Sequence, residues 1–265
     1  MPTPYTTTVT GSYPRPVQPC DTLKKPELSR EEADEMIRWA VRDQVEAGLD
    51  IITDGECRRE NMYYFFQKRM DGLSFKDMEY RTYGTAGFGI EIAAVVDKIG
   101  NPRVELAHDW TVAREAAPPN VEVKITCTGP HMLAKFSNNK RPDLYPTDRD
   151  LAFAYADVLN QELRELVAAG CQSVQFDDPA WTAFPEEAEW AESGGRGIAH
   201  QNRLTCLWWQ STAEAGLLYK VPRSGEGFHH CQSRSGFPGV LHAELQHVDA
   251  LGQVEVQRGV RGRRD

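Results

Sequence analysis

No G-x-G-x-x-G stretch and no Walker loop occurs in the 265 residues, so nucleotide-driven chemistry has no motif to rest on. C-x-x-C and H-E-x-x-H are missing as well, which removes the common zinc-finger and zincin patterns. Basic charge is short: 30 Lys and Arg stand against 39 Asp and Glu, giving a net charge of −9 and a pI near 5.4. An acidic surface repels phosphate backbones and anionic headgroups, so neither nucleic acid nor membrane is an expected partner. No apolar run approaches the ~20 residues of a bilayer span. The opening "MPTPYTTTVTGSYPRP" carries neither a basic n-region nor an apolar h-region, and a cytoplasmic location is expected. The six cysteines, at 20, 57, 127, 171, 206 and 231, lack framework spacing and read as thiols of a reducing compartment.

What is present is alternation. "YTTTVTGSYP" (5–14) is β-branched and ends in Gly-Ser, as a strand entering a loop does. In "SREEADEMIRWAVRDQVEAGLD", Ser29 and Glu32 form a capping box. Ala33, Ile37, Ala40, Val41 and Val45 then recur at helical spacing, and Gly48 supplies the stop. "LDIITDGE" is a short apolar strand tipped with acids, and "NMYYFFQKRMDGL" reads as a helix. Residues 75–120 carry alternating and Gly-rich pieces, either a hairpin or an excursion from the main domain. A strand over 120–130, a helix over 148–170 and a strand over 171–181 follow, and "FPEEAEWAESGGRGIAHQNR" begins another helix. Helices feeding strands through glycine make an α/β fold with a parallel sheet. Gly-Ser, Asp-Gly-Glu, Thr-Gly-Pro and Asp-Asp-Pro would meet at the C-terminal ends of its strands, as in a (β/α)₈ barrel. A doubly wound sheet is the second choice.

Asp54 and Glu56 at one strand end fit a solvated loop or a helix N-terminus that favours acids. Asp177 and Asp178, adjacent and directly after an apolar strand, are harder to leave in water. Carboxylates there can hold a substrate ammonium, bind metal, or act as acid and base. His131 in "TGPHMLAKF" reads as a helix-starting loop residue. In "GEGFHHCQSRSG", His229 and Cys231 flank one residue, so in an extended chain they share a side. Imidazole and thiolate are the pair that suits zinc, but two ligands do not complete a tetrahedral site.

Taken in series, these motifs resemble the cobalamin-independent methionine synthase family, both its catalytic C-terminal barrel and its stand-alone bacterial relatives. "TTTVTGSYPRP" resembles the family's opening strand, "EAGLDIITDGECRRENMYYFFQKRMDGL" its second unit, and "KITCTGPHMLA" its middle strand. "ELRELVAAGCQSVQFDDPAW" resembles the unit whose acidic end meets the substrate amino acid. "TGPHMLA" is also similar to the epoxyalkane coenzyme M transferases of the same superfamily. The resemblance implies a (β/α)₈ barrel of the methionine synthase/uroporphyrinogen decarboxylase type, one domain over 1–265. It implies Zn²⁺ held by a His-x-Cys pair, for which His229 and Cys231 stand in the right order as metal ligands and catalytic residues. Ser12, Glu56 and Asp177 are then the positions that hold a homocysteine-like thiol. The activity implied is methyl transfer from a folate or corrinoid donor to that thiol, with alkyl transfer to coenzyme M as the runner-up.

The resemblance covers about residues 5–203. From 204 to 265 the chain diverges or is truncated: no cysteine follows Cys231, and Glu244, His242 or His247 would have to stand in as further ligands. Five or six βα units fall short of eight, so an open edge and self-association are expected, and a non-catalytic remnant is the alternative from another class.

Overall fold

In the computed structural model, which describes residues 6–14, 28–83, 88–182, 184, 187, 205–212, 215–221 and 230–232, Ser29 and Glu32 start the first helix as their spacing predicts. The Ser29 hydroxyl accepts from the Glu32 amide at 3.2 Å, and the Glu32 carboxylate accepts from the Ser29 amide at 2.9 Å. The chain then runs α1 (Arg30–Glu46), β1 (Ile51–Ile52), α2 (Tyr64–Gln67), β2 (Asp71–Tyr83), β3 (Phe88–Gly100), α3 (Leu106–Ala116), β4 (Glu122–Val123) and β5 (Ile125–Thr128). After these come α4 (Pro130–Lys135), β6 (Ser137–Asn139), α5 (Asp148–Ala169), β7 (Ser173–Asp177), a 3-10 turn (Pro179–Thr182), β8 (Thr205–Thr212), β9 (Ala215–Val221) and β10 (His230–Gln232). All described residues belong to one compact unit, Met1–Ser233.

The parallel strands follow one another in order. Thr8 bridges Ile51 of β1, β1 pairs β4, and β4 leads through Lys124 into β5. β5 pairs β7, and β7 pairs β8, all in parallel. Along Thr8, β1, β4–β5, β7 and β8 each parallel strand lies beside the one before it, the singly wound order of barrels, and β6 stands outside this series; a doubly wound sheet reverses its order partway. The strand expected over 5–14 is reduced to the Thr8 bridge. Asp50 takes the Thr7 amide and hydroxyl at 2.7 and 2.8 Å, so that amide does not extend the ladder.

β2 and β3 pair in antiparallel fashion, with a register shift between Ser74 and Glu79, and β3 also pairs β6 in parallel. The helix suggested by "NMYYFFQKRMDGL" is one turn, Tyr64–Gln67, and β2 begins at Asp71, with Gly72 at φ +89° at its first register shift. α3 was not legible as a helix; it buries Leu106, Trp110 and Ala113. Its first turn is held from α5, where the buried Glu162 carboxylate accepts the Val104 and Leu106 amides at 2.9 and 3.3 Å. From β8 onward the sheet is antiparallel, β8 to β9 and β9 to β10. Only two residues separate Thr212 from Ala215, whereas a parallel return needs a dozen or more. The helix expected from Phe184 onward lies outside the described residues, apart from Phe184 and Glu187. No helix among the described residues is long and apolar enough to cross a membrane.

The first strand end is held from α1. Fully buried Gln44 donates to the Thr53 carbonyl at 2.9 Å and accepts the Thr53 amide at 3.0 Å. Gln44→Leu keeps the volume and strands both backbone groups, each worth ~1–3 kcal/mol when left unpaired. Urea denaturation should show a loss of about 2–4 kcal/mol at unchanged m. A loss under ~0.5 kcal/mol would mean that this strand end is held by something else.

Candidate active site

After β1 the chain turns through Thr53, Asp54, Gly55 and Glu56. The Thr53 hydroxyl accepts the Gly55 amide at 2.7 Å. Gly55 and Glu56 both lie in the left-handed region, at φ +66° and +53°. Glycine adopts that region freely; for glutamate it costs on the order of 1 kcal/mol or more and persists only where the surroundings impose it. Here they do. The Glu56 carboxylate accepts from the Thr126 hydroxyl of β5 at 2.8 Å and faces Arg59 Nη1 at 3.6 Å. Gly11 makes room for it, since a Cβ there would overlap Glu56 Oε1.

Arg59 is the buried hub. Its Nη1 donates to Thr126 Oγ1 at 2.9 Å and its Nη2 to the Thr126 carbonyl at 2.8 Å, while Asp54 lies 3.8 Å away. The rings of Phe65 and Phe66 flank the guanidinium at 5.6 and 5.5 Å. Burial alone would lower its pKa, but Asp54 and Glu56 outweigh burial and raise it, so the charge stays.

The end of β7 supplies a second carboxylate. Asp177 is 6% exposed, and its Oδ1 accepts from Gln175 Nε2 at 2.6 Å. Burial first, and the Glu56 charge second, push its carboxyl up to about 8 against the opposing pull of Gln175, Lys124 and Arg59. Asp178 points the other way. Its Oδ2 accepts the Met132 amide at 3.1 Å, capping α4 across the loop, and a Cβ at Gly129 would overlap it. Its Oδ1 meets His131 Nδ1 at 3.2 Å, and His131 Nε2 meets Glu187 at 2.8 Å. A neutral imidazole donates at only one nitrogen, so carboxylates at both favour the imidazolium. Burial opposes that charge, but Asp178 and Glu187 raise the His131 pKa. Lys135 completes the clamp, donating to Asp148 and Glu187 at 2.7 and 2.8 Å.

Of the residues named from sequence, Ser12, Glu56 and Asp177 gather at the strand ends. Ser12 is exposed between Gly11, packed on Glu56, and Tyr13, whose amide donates to the Gly55 carbonyl at 2.9 Å. His229 lies outside the described residues, as do Glu244, His242 and His247; Cys231 is described only as the middle residue of β10. Thr126, Gly11, Lys124 and Gln175 lie within the quoted motifs but were not singled out as site residues, and their contacts across the sheet reveal them.

Among the described residues, one group of three, Asp34, His108 and Asp109, has ligand atoms within 4.8 Å of one another. It does not fit a metal, because Arg58 already fills it, donating to Asp34 at 2.5 Å and to Asp109 at 2.6 Å. The buried thiols of Cys57, Cys127 and Cys171 donate to the carbonyls of Met36, Thr128 and Ser173 and supply no thiolate pair.

Sequential parallel strands whose C-terminal ends gather buried carboxylates define a class: α/β proteins with barrel-type strand order and an acidic cluster at the strand ends. The chain belongs to the cobalamin-independent synthase family, whose catalytic-domain pattern matches residues 5–197. It is 36% identical over 191 residues to a methionine synthase of Saccharolobus solfataricus, covering 69% of this chain and 55% of that protein. It is 35% identical over 192 residues to the methionine synthase of Sulfolobus acidocaldarius, covering 70% of this chain and 55% of that protein. The chain thus spans about half the length of the curated relatives it matches. Its fold is similar to that of a B12-independent methionine synthase from Shewanella sp. solved with selenomethionine. The TM-score is 0.67 at 24% identity, over 76% of this chain and 60% of that one.

The position of Asp177 gives stability a pH dependence. Its folded pKa lies above the unfolded value, so the native state holds the proton more tightly. That stability is present in full below pH ~4 and is lost as pH rises through about 8. Asp177→Asn removes the titration. Its melting temperature should gain on that of the native protein as pH climbs from 5 to 8 and level off above; a constant difference would mean that Asp177 ionises normally.

Proposed function

We propose that this chain acts as a methyltransferase that holds homocysteine at its strand ends and directs the thiol onto a methyl donor, a folate or a methyl-corrinoid. The pair Glu56 and Asp177 carries the proposal. Both are buried, they sense each other's charge, and an entering α-ammonium supplies the positive charge that lets Asp177 ionise beside Glu56. Ser12 is taken as the third contact to the amino acid. Selenomethionine in the Shewanella relative is likewise an α-amino acid, which supports this ligand class. Coenzyme M presents a sulfonate that two carboxylates repel, so it ranks second.

The strands are taken as part of a (β/α)₈ barrel, one domain over 1–265 with 204–265 as its divergent tail. Zinc is taken as the cofactor, held by His229 and Cys231, whose imidazole and thiolate suit it by donor chemistry. When bound, it supplies the charge that keeps a substrate thiol deprotonated at neutral pH. The chain's own residues do the placing. Arg59 and Thr126 fix Glu56, Gln175 fixes Asp177, and the clamp of His131, Glu187 and Lys135 fixes the loop after β7. A thiol anchored through its amino group is then presented in one orientation, which is where proximity accelerates a transfer. A binding protein without turnover is the second possibility, favoured by the sheet becoming antiparallel at β8–β9, just past the family match.

Two experiments test this. Incubation with homocysteine and each donor should yield methionine, and Glu56→Gln should lower kcat/KM by 100-fold or more; no turnover with any donor favours the binding protein. Zinc should copurify below one per chain, leave with a mild chelator and be held better with homocysteine present. One tight zinc per chain that survives Cys231→Ser would place the metal elsewhere.

A further inference from the structure

A lysine lies fully buried between β4 and β5, where the strands would otherwise take an apolar residue. Lys124 Nζ donates to the Val9 carbonyl and to Gln175 Oε1, each at 2.6 Å. The other end of the same amide, Gln175 Nε2, donates to the Thr10 carbonyl and to Asp177 Oδ1, each at 2.6 Å. Gln175 is also fully buried, so it has no water to turn to. A side-chain amide can sit in two orientations that differ by a half turn, and here one of them is excluded. An ammonium only donates and an ionised carboxylate only accepts. Flipped, Gln175 would set N–H against Lys124 and its oxygen against both the Thr10 carbonyl and Asp177. The lysine therefore decides which end of Gln175 the carboxylate meets.

We propose that Lys124 is a positioning residue: acting through the Gln175 amide, it fixes the Asp177 carboxylate to receive the α-ammonium group of the substrate. This deepens the homocysteine reading above and rests on it. The groups that face Asp177 are Glu56, whose charge works against its ionisation, and Gln175, Lys124 and Arg59, which work for it. Lys124 thus contributes twice, once by charge and once by orienting a donor. Neither contribution touches the thiol end of the ligand, so the consequence is selective for the amino end.

The test uses the full chain with Lys124→Met, a side chain of similar length and no charge, and with Gln175→Met, which cuts the relay at its other link. Calorimetric titration compares L-homocysteine with 4-mercaptobutanoate, the same thiol without the amino group. Both variants should bind homocysteine at least tenfold more weakly while the deamino analogue changes by less than twofold. Equal losses for the two ligands would assign Lys124 a merely structural role, and no loss would remove it from the site; either overturns the proposal. Carboxyl NMR of ¹³C-aspartate protein, free of ligand, reads the relay directly. The Asp177 midpoint should move upward in Lys124→Met, and an unmoved midpoint overturns the relay even if the melting curve is native. If the native protein binds neither thiol, the homocysteine reading falls instead, and the midpoint alone still decides whether Lys124 governs Asp177.

Discussion

A guanidinium that cannot shed its proton, buried where water cannot reach, dictates what may surround it. Arg59 holds its charge by reaching the Thr126 oxygens of β5 and by lying between Asp54 and Glu56. Those bonds join the turn after β1 to the third parallel strand, and they make the left-handed conformation of Glu56 tolerable. Without Arg59, two carboxylates would be left buried with no cation, a defect worth several kcal/mol. The acidic cluster and the strand register beneath it therefore depend on one side chain.

Around that hub the charges divide into two circuits. Arg58 neutralises Asp34 and Asp109 behind the turn. His131 and Lys135 neutralise Asp178, Glu187 and Asp148 beside the loop after β7. Asp177 stands apart, with neither circuit's cation at hand, and burial tips it toward keeping its proton. Two adjacent aspartates of identical chemistry thus take different work. Asp178 caps a helix, and Asp177 lies against Gln175 beside Glu56.

Local features were legible from sequence. The Ser29–Glu32 box, the glycine stops and the acid-tipped strands depend on residues within one turn of each other, and they appear where expected. Features that depend on partners far along the chain were not. α3 takes its first-turn cap from Glu162, 56 residues away from Leu106, so no local box announces it. Thr147 and Asp150 do form a local box at the start of α5, and that signal stood in the sequence unread. The β2–β3 pair was ambiguous because its register shift interrupts the alternation. The burial of Lys124 has no local signal, since it follows from the position of Val9 and Gln175 and not from its neighbours in sequence.

The order of the parallel strands also bears on how the chain is built during synthesis. In the series β1, β4–β5, β7 and β8 each strand docks on the one made before it, so each closure spans one crossover instead of the whole chain. The β2–β3 arm lies outside this series and receives β6 in parallel on β3. By the time Asp177 leaves the ribosome, Gly11, Glu56, Arg59, Lys124, Thr126 and Gln175 have all been made. The acidic cluster can therefore begin to form cotranslationally from the N-terminal side, and β8, made later, pairs along β7 with Trp209 in register with Asp177.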